Sequence, residues 1–257
     1  MSSSYLSPVS ESQNVLESFR TLVSEDLQLL AMLHDREPGA TLIKELKSLA
    51  FPSDLALLPD TQAGMESIAL LHQALSALPD DPDQTILDEL AADYASIYLN
   101  HNISASPEES VWTDEDGLKC QDSMFQVRDC YESHGLGIPD WRLRADDHLV
   151  YQLQFIAWLL DQDKGIETLE KIATFMDEHL LRWLGNFAER VIARCDTPYF
   201  AGVAGLTAAY CETLRDVLAD LLQKPRPSLE EIEERMQPKQ QAAPVPVAFV
   251  PGMNTVA

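Results

Sequence analysis

Lysine and arginine are scarce in this sequence: 18 against 42 aspartates and glutamates in 257 residues, for a formal net charge of −24. Between Lys47 and Lys119 there is neither, across 71 residues that carry 14 acidic side chains from Asp54 to Asp116. A chain so poor in cations repels phosphate backbones, which excludes nucleic acid as the expected ligand. Glycine is also scarce, at 10 residues, and the four cysteines (Cys120, Cys130, Cys195, Cys211) include no Cys-x-x-Cys pair. In a chain of this length that does not read as a disulfide framework, and free thiols in a reducing compartment are expected. No apolar run of about 18 residues is there to enter a membrane. The start, MSSSYLSPVSESQN, has no basic segment and no apolar core, so no secretory signal is read and a cytoplasmic location is expected.

Signatures of reaction chemistry are missing too. There is no G-x-x-x-x-G-K phosphate loop, no G-x-G-x-x-G turn, no H-E-x-x-H helix and no G-x-S-x-G elbow. The histidines at 34, 72, 101, 134, 148 and 179 are not spaced as metal ligands on one helix. Asp114-x-Asp116-Gly117 fails as a calcium loop, because the glycine comes at the fourth position and no glutamate closes the twelfth. No catalysis, cofactor or metal is therefore expected.

What is present is helical periodicity. Apolar residues recur at steps of three and four from Asn14 to Leu33, and again over 40–50, 62–78, 84–100, 121–134, 146–160, 166–194 and 198–223. No segment shows sustained strand alternation, so the fold class is all-α, a compact multi-helix bundle. Residues 1–13 read as a flexible start and 14–224 as one helical domain. Residues 225–236 read as a short acidic helix after Pro225-Arg226-Pro227, and 237–257 as a disordered Pro/Ala/Val tail. Residues 101–119 form a long loop around Ser110-Val111-Trp112, of a kind that often carries function. Gly135 suits the residue after a helix end.

Two segments carry a family pattern. Residues 87–112, LDELAADYASIYLNHNISASPEESVW, place Asp93, Tyr94 and Tyr98 on a helix that leads into a loop with Pro107, Ser110, Val111 and Trp112. Residues 131–160 run from Tyr131, Gly135 and Leu136 through a short loop to Asp146-Asp147-His148-Leu149. A weaker third segment holds Trp183, Phe187 and the helix from Thr197. In this order the segments resemble the TorD/DmsD family of molybdoenzyme maturation chaperones. That family usually reads Glu-Pro before the Asp-His, where this chain has Arg144 and Ala145.

The resemblance implies a cytoplasmic chaperone that binds the twin-arginine signal peptide and apo form of a molybdoenzyme of the TMAO or DMSO reductase kind. Cofactor insertion would then precede export. It places signal-peptide binding at Tyr94, Tyr98, Pro107, Ser110, Trp112, Tyr131, Gly135, Leu136, Asp146, Asp147 and His148. It implies a monomer or a helix-exchanged dimer hinged at 137–145, and at most weak guanine-nucleotide binding, for which no phosphate loop is present. An arginine pair followed by an apolar stretch needs carboxylates at one end of a groove and apolar walls along the rest. The cation-free span is the expected acidic end; its alternative is a solvated face. Asp146 and Asp147 alternatively serve as helix caps, and the aromatic residues as core. Two other functions stay open: an assembly chaperone of the nitrate-reductase type, and a helical metal-binding enzyme using Asp146, Asp147 and His148.

Overall fold

The computed structural model describes residues 8–114, 116–162 and 165–237, with side chains from Asn14 onward. Its helices are α1 (Pro8–Asp35), α2 (Ala40–Ser48), α3 (Gln62–Ala77), α4 (Gln84–Tyr94), α5 (Ser110–Thr113), α6 (Asp122–Glu132), α7 (Leu149–Gln162), α8 (Ile166–Glu178), α9 (Leu184–Arg194), α10 (Pro198–Leu222) and α11 (Leu229–Met236). A π-turn (Ala95–Leu99) extends α4, and a 3₁₀ turn (Leu180–Arg182) links α8 to α9. The expected all-helical fold is what the described residues adopt, apart from one isolated antiparallel bridge between Glu108 and His148. α1 begins at Pro8, six residues ahead of the expected start, with proline at the first helical position, where its missing N–H is not needed. The rest of the expected flexible start, and the expected tail beyond Gln237, lie outside the described residues.

Two helices differ from the periodicity in ways that matter. The stripe Leu90, Tyr94, Ile97, Tyr98 contains an adjacent pair, which a regular helix would place about 100° apart. The π-turn adds a residue to that turn, and both Ile97 and Tyr98 are buried. The single helix expected over 166–194 is broken instead. His179 leaves helical geometry (φ −125°, ψ −79°) and Trp183 follows (φ −133°, ψ −24°). The apolar pattern runs through the break without a signal, because Leu180, Trp183 and Leu184 are buried on either side of it.

α1 packs along α7, while α10 packs along both α3 and α9 and is buried along most of its length. The α10–α3 contact is close because α10 carries glycine there. A Cβ on Gly202 would stand 2.8 Å from the Cα of Leu71, and one on Gly205 would stand 2.5 Å from Oγ of Ser67. One polar string crosses this core. The Thr207 hydroxyl donates to the Val203 carbonyl (2.8 Å), so its oxygen accepts from Nε2–H of His34 (2.9 Å). Nδ1 of His34 is then the acceptor for the Tyr98 hydroxyl (2.6 Å). This tautomer is neutral, and burial holds His34 down to a pKa of about 3.

Two outcomes follow from this packing. Gly202→Ala forces α10 away from α3 and destabilises the chain by about 1–3 kcal/mol in urea unfolding. His34 binds its proton only after unfolding, so between pH 6.5 and 4 the unfolded state holds the extra proton and stability falls as pH falls. In His34→Gln that slope is shallower by about 1.4 kcal/mol per pH unit, read from urea midpoints at pH 6 and pH 4.5.

Candidate functional site

The two motif-bearing segments meet. The Leu149 N–H donates to the Pro107 carbonyl (2.8 Å) and the Glu109 N–H donates to the Asp147 carbonyl (3.2 Å), on either side of the Glu108–His148 bridge. Asp147 is fully buried, and its Oδ2 accepts the Ser110 N–H (2.8 Å), the first free amide of α5. Its Oδ1 has no hydrogen-bond partner among the described residues. Burial raises the Asp147 carboxyl to about 6 against the pull of the Ser110 amide, with Glu109 and Glu108 adding to the rise. Asp146 pairs with Arg128 through both oxygens (2.8 and 3.3 Å), and its carbonyl accepts the Tyr131 hydroxyl (3.1 Å). His148 caps α7, with Nδ1 accepting the Val150 N–H (3.2 Å). The capping roles are therefore exchanged relative to the sequence expectation: α7 starts at Leu149, the histidine caps it, and both aspartates reach to other elements.

Glu109 stands at the centre of this joint and is fully buried. Its Oε1 lies 3.1 Å from Nδ1 of His179 and 3.8 Å from Arg182, and its Oε2 accepts from Gln152 Nε2 at 2.8 Å. Gln152 also donates to the Asp147 carbonyl (3.1 Å). Burial by itself would lower the His179 pKa; the Glu109 carboxylate overrides it, and with Cys130 lifts it to about 10. The non-helical backbone at His179 is what turns the imidazole onto Glu109. None of Glu109, Gln152, His179 or Cys130 was among the expected site residues. Their partners lie 43 to 70 residues apart in sequence, beyond any local pattern.

The other expected residues divide. Tyr94 and Tyr98 belong to the core, packed on each other and on Phe200, with the Tyr94 hydroxyl on the Asp35 carbonyl (2.6 Å). Pro107 and Ser110 are buried in the joint. Trp112 is half-buried, fixed through Nε1 to the Ser106 carbonyl (2.8 Å) and covered by Arg190, 4.7 Å from its ring. Gly135 takes φ +72°, which lets the Leu136 N–H turn back to the Tyr131 carbonyl (3.0 Å). Arg144, in place of the family glutamate, pairs with Asp35 at the end of α1 and lies over the Tyr151 ring. Ala145 is buried.

The open surface lies on the other side of the joint, along α6, α7 and α8. A cleft of about 210 Å³ is lined by Tyr131, Leu136, Ile138, Tyr151, Phe155 and Trp158. Phe155 also walls a second cleft, of about 400 Å³, with His134, Leu159, Phe175, Cys130 and His179. Cys130, His179 and Glu178 continue into a third, of about 440 Å³, with Asp122 and Asp129. Asp122 and Gln126 lead into a fourth, of about 460 Å³, with Asp114 and Asp116. The four clefts of this trough share lining residues in series, apolar at the first and acidic at the last, which Met236 also lines; the cations beside the acidic end are Arg235, 3.6 Å from Glu178, and Arg182. Of the expected residues, Tyr131 and Leu136 line these clefts. Tyr94, Tyr98 and Trp112 are held in the core and the joint, while Phe155, Trp158 and Tyr151 line the first cleft. Among the described residues no group of three or more His, Cys, Asp or Glu is placed to hold a metal ion, so the metal-binding alternative gains no support there. No helix among them is long and apolar enough to cross a membrane.

Residues 59–189 match the family model of the nitrate reductase delta subunit. The chain is 32% identical over 178 residues to the chaperone protein TorD of Vibrio cholerae serotype O1, covering 66% of this chain and 80% of that one. It is 26% identical over 212 residues to TorD of Vibrio vulnificus, covering 79% and 97%. It is 27% identical over 134 residues to the chaperone protein YcdY of Escherichia coli K12, covering 52% and 67%.

Asp147→Ala leaves the Ser110 amide buried without a partner and costs about 1–3 kcal/mol in urea unfolding, with helical content retained below the midpoint. The folded state holds the Asp147 proton more tightly than the unfolded state between about pH 4 and 6, so this group adds stability at pH 5 that is gone by pH 7.5. The gap between wild type and variant therefore widens by about 1 kcal/mol from pH 7.5 to pH 5.

Proposed function

This chain belongs to the TorD-type family of molybdoenzyme chaperones, and from that premise we propose that it binds the twin-arginine leader of an apo-molybdoenzyme in the cytoplasm until the cofactor is in place. The observation that carries this reading is the trough, with aromatic and aliphatic walls at one end and carboxylates at the other. A leader has the same two parts. Its apolar stretch fits Leu136, Ile138, Phe155 and Trp158, where burial of side chains supplies most of the affinity. Its guanidinium pair fits Asp122, Asp129, Asp114 and Asp116, which offer forked acceptors for the planar group. The strong net negative charge of the chain draws the cationic leader in and repels anionic competitors.

In this reading Asp146, Asp147 and His148 act at one remove. They hold the α5 loop and the start of α7, and so set the position of Tyr131 and Phe155 in the wall. Loop 137–145, which bears Ile138 at the apolar end, is the segment whose opening would admit the peptide or permit helix exchange with a second copy. The match to the nitrate reductase delta family favours a second reading, in which the client is a membrane-bound nitrate reductase that keeps only a remnant leader.

Calorimetry with synthetic leaders tests the reading. A twin-arginine leader of a TMAO or DMSO reductase binds, and changing both arginines to glutamine weakens binding by about two- to thirtyfold while the apolar stretch keeps the rest. The Asp122→Asn/Asp129→Asn double variant weakens binding by about two- to thirtyfold, since each exposed pair contributes about 0.2–1 kcal/mol. Raising salt from about 0.05 to 0.5 M weakens the wild type in the same direction by screening those pairs. Binding by none of the twin-arginine leaders would contradict the proposal, and binding by the nitrate reductase remnant alone would select the second reading.

A further inference from the structure

The floor of the trough contains a thiol with partners. Cys130 Sγ lies 3.8 Å from Nε2 of His179, and Nδ1 of the same imidazole lies 3.1 Å from Oε1 of the buried Glu109. Thiol, imidazole and carboxylate thus stand in the order that prepares a cysteine for nucleophilic attack. Glu109 fixes the ring so that Nε2 faces the sulfur. The raised pKa of His179 keeps a proton on that nitrogen at neutral pH, so a cationic N–H stands beside the sulfur. Cys130 is half-buried and lines two adjoining clefts, so a small molecule reaches it.

The other three thiols are set differently. Cys211 is buried, and burial pushes its thiol up. Cys195 donates to the Thr197 carbonyl (3.4 Å), and burial with Asp93 beside it pushes it up to about 12. Cys120 is exposed, yet burial of part of its surface and the nearby Asp147 and Glu108 raise it as well. The cleft over Cys130 is rimmed by Glu167, Glu170, Glu178 and Lys171, with Glu170 paired to Lys224 and Glu178 to Arg235, and it lies in the field of a chain whose net charge is −24.

We propose that Cys130 is a reactive thiol that exchanges with low-molecular-weight disulfides entering this cleft, and that it takes neutral or cationic disulfides in preference to anionic ones. The Cys130 sulfur attacks one sulfur of the disulfide and the S–S bond breaks. A mixed disulfide forms on Cys130, and the departing half leaves as a thiolate that takes up the proton given by the Cys130 thiol. No net oxidant beyond the disulfide is needed. The site stands apart from the leader-binding reading, because its chemistry is read on the thiol itself.

The test treats the full chain at pH 7 with cystamine, or with the dianionic dithiobis(nitrobenzoate), and follows each cysteine by peptide mass mapping. Cys130 is expected to form the cystamine adduct about tenfold faster than the more exposed Cys120. Relative to a model cysteine peptide, it is expected to discriminate against the anionic reagent. His179→Gln removes the advantage, and Glu109→Gln reduces it. Faster labelling of Cys120 than Cys130 in the wild-type chain overturns the proposal whether or not the variants fold. So does an unchanged Cys130 rate in folded His179→Gln.

Discussion

The joint between the α5 loop, α7 and the α8–α9 break is organised around a buried carboxylate. Glu109 comes from a loop, yet it is fully enclosed and holds His179, Gln152 and, at longer range, Arg182. Enclosing a carboxylate is costly unless its oxygens are matched, and here both are. Matching them requires three separate pieces of chain to meet: the α5 loop, the start of α7 and the break between α8 and α9. That meeting fixes the angle at which α6, α7 and α8 stand around the trough. Removing one member of such a set leaves the others buried and unpaired, a loss of about 3–5 kcal/mol, so the joint forms as a unit.

The division of labour follows from this. The residues that look most chemical in the sequence, Asp146, Asp147 and His148, are turned inward and engaged by protein groups, with Asp147 Oδ1 alone left without a partner among the described residues. The residues left at the surface are ordinary ones: aromatic and aliphatic side chains at one end, exposed carboxylates at the other. Relatives that match this chain are named chaperones. Arg144 illustrates how a departure from the family pattern is absorbed. It finds Asp35 at the end of α1 and the face of Tyr151, tying loop 137–145 to the first helix in place of the usual Glu-Pro.

Much of the fold was legible in the sequence because helical burial leaves a local trace. The stripes of α3, α4, α7 and α10 predicted their helices within a few residues, and Gly135 marked the end of the α6 region. The break at His179 was not legible: both flanks are apolar, and the contact that accompanies it joins His179 to Glu109, seventy residues away. The order of the motif segments pointed to the family; the pairing of Pro107–Glu109 with Asp147–Leu149 is seen only in the structure. That order did not indicate which side chains face outward. Tyr94, Tyr98 and Trp112 carry the aromatic signal expected of a peptide wall, but a hydroxyl on Asp35, a hydroxyl on His34 and an indole N–H on Ser106 hold them within the protein. Burial direction is a tertiary property, and it leaves Phe155 and Trp158 of α7, not these three, lining the apolar cleft.

The most direct measurement is photo-crosslinking. A twin-arginine leader carrying one photoreactive residue in its apolar stretch and another beside the arginines is bound, irradiated and mapped by mass spectrometry. Adducts of the apolar position on Leu136, Phe155 or Trp158, and of the arginine-proximal position on the Asp122–Asp129 face of α6, are the predicted result. Adducts gathered instead on the α4 side or around Trp112, with α6 and α7 untouched, would contradict the trough as the leader's site.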